Sequence, residues 1–294
     1  MSAVLPDSNR AAIARRNTIA NIVLPLDGSK LSQVAIPVAR VLVELFGATA
    51  HLLYVGEQVG DPETTLAHIG VHWEQLPGAV VDQITGFAPE GILSLAKELP
   101  RSLIVMCTHT GHNRNPDSFG SVTEAVLGGN PDRILLIAPE RGNKAFEIRS
   151  VVVAHDGTPA AAVAAGPAVE IANRTHADII VVHVAAAQAG CPEELGSLPA
   201  PQYVDQPQHE WPSWAGEFSA RMLALGAPAS SVKFEVVVCR GQPGSEVAHL
   251  ARTRKSDMIV MANPGIWEHC RHGLTRVVVR TSGCPVLLVR SEAA

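Results

Sequence analysis

Four clusters in this chain carry residue types at spacings that could do chemistry. Asp27-Gly28-Ser29 follows the apolar run Asn21 to Leu26, and His155-Asp156-Gly157-Thr158 follows a second such run. Cys107 to Val122 is a polar stretch that leaves the apolar segment Leu103 to Met106 and ends at Gly120-Ser121. His269-Cys270-Arg271-His272 gathers imidazole and thiol groups. A strand, a polar loop and Gly-Ser at a helix start can form an anion cradle. The first N–H groups of a helix point outward, and a glycine lets a phosphate approach the backbone. Ser121-Val122-Thr123-Glu124 also fits a capping box, which any helix can use. On these residues alone both readings of the turn stand.

Other chemistry finds less support. No Walker lysine follows the glycines, so the loop is not that of a P-loop ATPase. No carboxylate pair or Ser/His/Asp order sits in a recognisable motif, and no catalytic residue is assigned. His269 and His272 lie three apart without a second cluster at metal spacing, so no metal site is assigned. His155 reads either as a strand-end histidine satisfied by its neighbours or as a group facing a cleft. Cys107 and Cys270 lie in equivalent loops and read as small packed thiols rather than redox groups.

The elements that must position these clusters alternate between two kinds. Strands are expected at Asn21–Asp27, Ala50–Val55, Ala79–Thr85 (an edge), Leu103–Met106 and Arg133–Ala138. Helices are expected from Ser32 to Phe46, around Thr64 to Ile69, through Leu99 after a turn at Gly86 to Glu90, and from Ser121. Pro37 should kink the first helix or delay its start, and Gly47 should close it. The strands are continuous apolar runs, as in a parallel sheet buried on both faces.

From Ser150 the pattern returns. SVVVAHDGT matches NIVLPLDGS, and Ile179–Val184, Phe234–Cys239, Met258–Met261 and Pro285–Val289 repeat the later strands. A repeat of this length is a duplicated domain rather than a solenoid unit. The division is a lead-in arm at 1–20, a first domain at 21–141 and a second at 149–294, joined by a polar segment. The second copy has a longer, proline-rich middle at 187–230, with a helix expected from Ser213 to Leu225.

The totals bound the rest. The net charge of −5, without a basic run, argues against a nucleic-acid partner. Five scattered cysteines without a CxxC read as reduced thiols. No stretch approaches the ~20 apolar residues of a membrane span. The expectation is a cytoplasmic protein without a membrane or nucleic-acid partner.

Two copies of apolar strand-Asp-Gly-Ser/Thr, with a late strand, a polar loop and a Gly-Ser helix, resemble the universal stress protein family in its tandem two-domain form. The resemblance implies two five-stranded parallel sheets of order 3-2-1-4-5 with helices on both faces. It implies an adenine nucleotide, ATP or a relative with or without magnesium, where strands 1 and 4 diverge. The family's phosphate loop is Gly, two residues, Gly, nine residues, then Gly-Ser. Here Cys107 and Thr110 stand at the two glycine positions, and Gly120-Ser121 closes the loop.

The resemblance assigns Asp27 to the nucleoside, the Val55 backbone to adenine, and the Gly120, Ser121 and Val122 N–H groups to phosphate. Thr108, His109 and Thr110 line the loop, where Arg114 is the single positive side chain. The second copy's counterparts are Asp156, Val184, Gly265, His272 and Gly273. Its loop is shorter and has His272-Gly273 where the first has Gly120-Ser121, so no phosphate is expected there. The last strands of the two copies are the implied seam of a pseudo-symmetric pair, and two chains can associate further as a homodimer. Three functions follow: a nucleotide-binding stress-response or signalling protein, a scaffold that binds no nucleotide, and a small-molecule enzyme using the second cleft. The first is favoured, in the first copy only.

Overall fold

The computed structural model describes residues 18–57, 60–108, 119–141, 145–158, 160–185, 232–263 and 272–291. The first half runs β1 (Asn21–Pro25), α1 (Ile36–Phe46), β2 (Thr49–Gly56), α2 (Pro62–Ile69), β3 (Val80–Thr85), α3 (Ala88–Glu98), β4 (Ser102–Cys107), α4 (Ser121–Gly128) and β5 (Arg133–Ile137). The second runs β6 (Ser150–Ala154), α5 (Ala165–Thr175), β7 (Asp178–Ala185), β8 (Phe234–Arg240), α6 (Pro243–Thr253), β9 (Met258–Asn263), α7 (His272–Thr281) and β10 (Val286–Arg290). The helix expected at Ser213–Leu225 lies outside the described residues.

Proline chemistry sets the first helix. Ser32–Ala35 form a 3₁₀ turn, and α1 begins at Ile36 with Pro37 in its first turn, where its missing N–H costs nothing. Gly47 ends α1 in the left-handed conformation at φ 60°.

Among the described residues ten strands join one sheet, ordered β3-β2-β1-β4-β5-β10-β9-β6-β7-β8. Read inward from either edge, each half follows 3-2-1-4-5, as the resemblance implied. Pairing is parallel within each half. At the seam β5 and β10 run antiparallel, with Leu135 opposite Leu287 and Leu136 opposite Val286.

Side chains alternate between two apolar layers that run unbroken under both halves. Ile22, Leu24, Val151 and Val153 face the layer holding α1 and α5. Val23, Ile104, Val152 and Ile259 face the layer holding α3, α4, α6 and α7. A strand buried on both faces must be apolar throughout, which explains the uninterrupted Val/Ile/Leu runs. Among the described residues no helix is long and apolar enough to cross a membrane.

Candidate functional site

In each half the first strand lies between the second and the fourth, so its following loop and that of the fourth strand leave in different directions. That divergence is a topological switch point, the place where open α/β sheets bind ligands. The first unit has it after β1 and β4, the second after β6 and β9.

Asp27 stands at the first switch point, exposed. The Ser29 N–H donates to its Oδ1 at 3.0 Å, and the Ser32 N–H donates to Ser29 Oγ at 3.1 Å. The carboxylate thus closes its own turn. Gly28 is required: its φ is +80°, and an added Cβ would lie 2.7 Å from the His68 carbonyl oxygen of α2. Helix α2 is seated on this turn by the Gln33 amide donating to Ile69 O at 3.1 Å, and Tyr54 meets His68 edge-on at 4.9 Å. Val55 directs its side chain at Gly91 of α3, where an added Cβ would lie 3.0 Å away. At the end of β2 its side chain is therefore turned toward α3.

The β4–α4 turn differs from the sequence reading in three ways. The N-cap of α4 is Gly120, and Ser121 is the first helical residue, so Ser121 does not open a capping box. Instead Glu124 reaches back, and the Phe119 N–H donates to its Oε1 at 3.0 Å. Second, the Gly120 N–H is spent inside the fold, donating to Thr108 O at 2.8 Å. It cannot also serve a phosphate. Third, Thr108 is buried at 1% exposure and does not line the cleft. Its carbonyl holds Gly120 and the Thr123 hydroxyl, while its N–H donates to Ile137 O at 3.0 Å. Cys107, at the first expected glycine, is still in the strand and buried. Gly120 carries no side chain to cap the helix, so the N–H groups of exposed Ser121 and half-buried Val122 are the ones left facing outward. His109, Thr110 and Arg114 lie outside the described residues.

The second switch point repeats the turn and changes its surroundings. The Thr158 N–H donates to Asp156 Oδ1 at 3.0 Å, and Gly157 has φ +89°. Where the first unit has Leu26 and Tyr54, this one has His155 and His183, both buried. The Gly157 N–H donates to His155 Nδ1 at 2.9 Å, which places the His155 proton on Nε2. His183 Nδ1 donates to His155 O at 3.0 Å. Burial pushes the His155 imidazole down to about 4, opposed by Asp156, and also lowers that of His183. His155 is thus the satisfied strand-end residue of the two readings. Val184 lies near the end of β7 against the α6–α7 layer. Gly265 and Cys270 lie outside the described residues, and only the backbone of His272 is described. Gly273 is exposed in α7, with nothing within 4 Å of an added Cβ.

One contact joins the units at this level. Arg276 of α7 donates from Nη2 to Glu124 Oε1 of α4 at 2.7 Å. The sequence carried a signal for it. The repeat places Glu124 and Arg276 at equivalent positions of the duplicated helix, with opposite charges. A cavity of about 540 Å³ lies elsewhere, at the linker, between residues such as Phe146, Arg149, Asp257 and Cys284. It borders the start of β6, whereas the second switch-point turn follows that strand's end.

The fold and site define a tandem α/β protein with two copies of one switch-point architecture. Residues 147–290 match the model of the universal stress protein family. The match spans the second unit, and the first repeats that unit's strand order, an arrangement consistent with a tandem member of the family. A protein described as functionally unknown from Pseudomonas aeruginosa is similar in structure (TM-score 0.67, 14% identity, 94% of each chain covered). A universal stress protein from Archaeoglobus fulgidus is also similar (TM-score 0.62, 16% identity), over 92% of this chain and 98% of that one. So is the cytoplasmic domain of a prokaryotic cation chloride cotransporter (TM-score 0.51, 13% identity), over 92% of this chain and 95% of that one. At these identities the likenesses show the fold alone. No curated protein matches the sequence.

Proposed function

We propose that the first unit binds an adenine nucleotide, ATP or a relative, at the β1–β4 switch point, and that the chain acts as a nucleotide-responsive stress or signalling protein. One observation carries the reading. Helix α4 starts at the switch point on a glycine N-cap, with the Ser121 and Val122 N–H groups left without a side-chain cap. Outward N–H groups at the positive end of a helix dipole suit a phosphate. Asp27 and the main chain at Val55 close the nucleoside end of the same crevice, and the Ser121 hydroxyl adds a donor. ATP would bring its own negative charge and, with magnesium, a counter-ion. The protein's part is to bind and orient it.

The second unit, with His272-Gly273 at the corresponding helix start, is read as silent toward nucleotide. A scaffold that binds none is the second reading, favoured by the strand-buried Cys107 where the family places a glycine. Calorimetric titration of nucleotide-stripped protein with ATP, with and without magnesium, separates the two. One site per chain is the expected result. Two sites would overturn the silent second unit, and no heat at millimolar ATP would leave the scaffold reading.

A further inference from the structure

We propose that Arg276, in the second unit, is a positioning residue for the β4–α4 turn of the first, so that the first unit's site is complete only with the second unit docked against it. The proposal rests on reading that turn as the nucleotide site.

A single carboxylate oxygen makes the link. Glu124 Oε1 accepts from the Phe119 N–H at 3.0 Å and from Arg276 Nη2 at 2.7 Å. Phe119 is the residue that delivers the chain to Gly120, and its ring is buried in the α3–α4 layer. The Glu124 and Arg276 side chains are 28% and 33% exposed. The pair is therefore partly shielded from water, and its charge-assisted hydrogen bond is stronger than a neutral one. Without the guanidinium, the Glu124 carboxylate keeps only the Phe119 N–H, and water competes for it more readily.

The geometry is that of a symmetry element. Glu124 and Arg276 are 152 residues apart. Leu135 and Leu287, which face each other at the seam, have the same separation. Both pairs join equivalent positions of the two copies across one centre. Two first units meeting at this edge would set Glu124 against Glu124, and two second units Arg276 against Arg276. Like charges there are unfavourable, and only the unlike halves complete the pair. Docking does not depend on this pair alone. The β5–β10 ladder persists without it, and on the opposite layer Arg174 donates to Leu45 O at 3.0 Å and covers Phe46. Removing Arg276 therefore tests positioning rather than assembly.

The test is site-resolved amide exchange on the full chain. In Arg276→Ala the Phe119 amide should exchange about tenfold faster, while the amides of β5 and β10 keep their rates. Arg276→Lys should recover part of the protection. In a Glu124→Gln background, which keeps an acceptor for Phe119 but removes the charge, Arg276→Ala should add nothing further. An unchanged Phe119 rate overturns the proposal. So does equal acceleration across β5 and β10, which would make Arg276 a docking residue. ATP affinity, measured in parallel by calorimetry, should fall about tenfold in Arg276→Ala. A wild-type chain that binds no ATP would overturn the nucleotide reading, and the Phe119 rate would still decide the coupling.

Discussion

The two switch points share a turn and differ in what lies under it. In both, an aspartate accepts the N–H of the residue two places on, at 3.0 Å, and a glycine adopts positive φ. Since both units keep that arrangement, Asp-Gly-Ser/Thr is first a device for turning the chain off a buried strand. A ligand role for Asp27 is an addition to it. Beneath the turn the first unit places Leu26 and Tyr54 and seats α2 against Gly28. The second buries a histidine pair. The duplication preserved the backbone solution and let the side chains behind it diverge.

Acid should separate the units most strongly. His155 is held neutral in the fold, at about 4 against an ordinary 6.5. Its folded pKa is depressed and the charged form is the one disfavoured. The contribution to stability is whole above pH 6.5 and is lost as pH falls from there through about 4. At the low end this costs on the order of 3 kcal/mol. Acid unfolding followed by amide exchange should show β6 and β7 losing protection before β1 and β2. His155→Leu, the residue type at the matching first-unit position, should flatten that pH dependence. Simultaneous loss in both units would erase the contrast.

Gly28→Ala comes next. The φ of +80° and the His68 carbonyl at 2.7 Å leave no room, and a loss of about 2 kcal/mol is expected in thermal or urea unfolding. Gly273→Ala, at an open and exposed helical position, should be neutral or slightly stabilising. Equal effects would contradict the tight seating of α2.

The nucleotide contrast is sharpened by valine substitutions. Gly120→Val should weaken ATP binding by at least about tenfold, because a branched side chain at the N-cap blocks the approach to the Ser121 and Val122 N–H groups. Gly273→Val should leave the titration unchanged. Equal losses would mean that both units bind.

The smallest effect belongs to the inter-unit contact on the α1–α5 face. Arg174 lies 5.2 Å over the Phe46 ring and pairs with Glu170 four residues earlier, with its side chain 37% exposed. Arg174→Ala should cost about 0.5 kcal/mol in thermal unfolding. A much larger loss would mean that the seam depends on this face more than on the β5–β10 ladder.

Much of the fold was legible because its signals are local. Strand boundaries moved by a residue or two, and α1 began late, at Ile36, with Pro37 in its first turn for the reason proline supplies. The site was less legible. Ser121 reads as an N-cap because Ser-x-x-Glu is a capping pattern. The helix starts one residue earlier because Gly120 O accepts the Glu124 N–H at 2.9 Å. Thr108 reads as a loop residue beside His109 and Thr110. It is buried because its main chain is claimed by β5 on one side and by Gly120 on the other.

The sequence by itself determined the duplication, the alternation of strand and helix and the two Asp-Gly turns, while the order of strands in each half came from the family resemblance. The first three rest on apolar runs and turn residues a few positions apart. Only the tertiary structure decided that ten strands form one sheet, that Gly120 spends its N–H on Thr108, and that Glu124 is held by Arg276. Each of these depends on groups from distant parts of the chain meeting at hydrogen-bond distance. For Glu124 and Arg276 the meeting exists only because β5 and β10 pair antiparallel, which brings equivalent points of the two halves face to face.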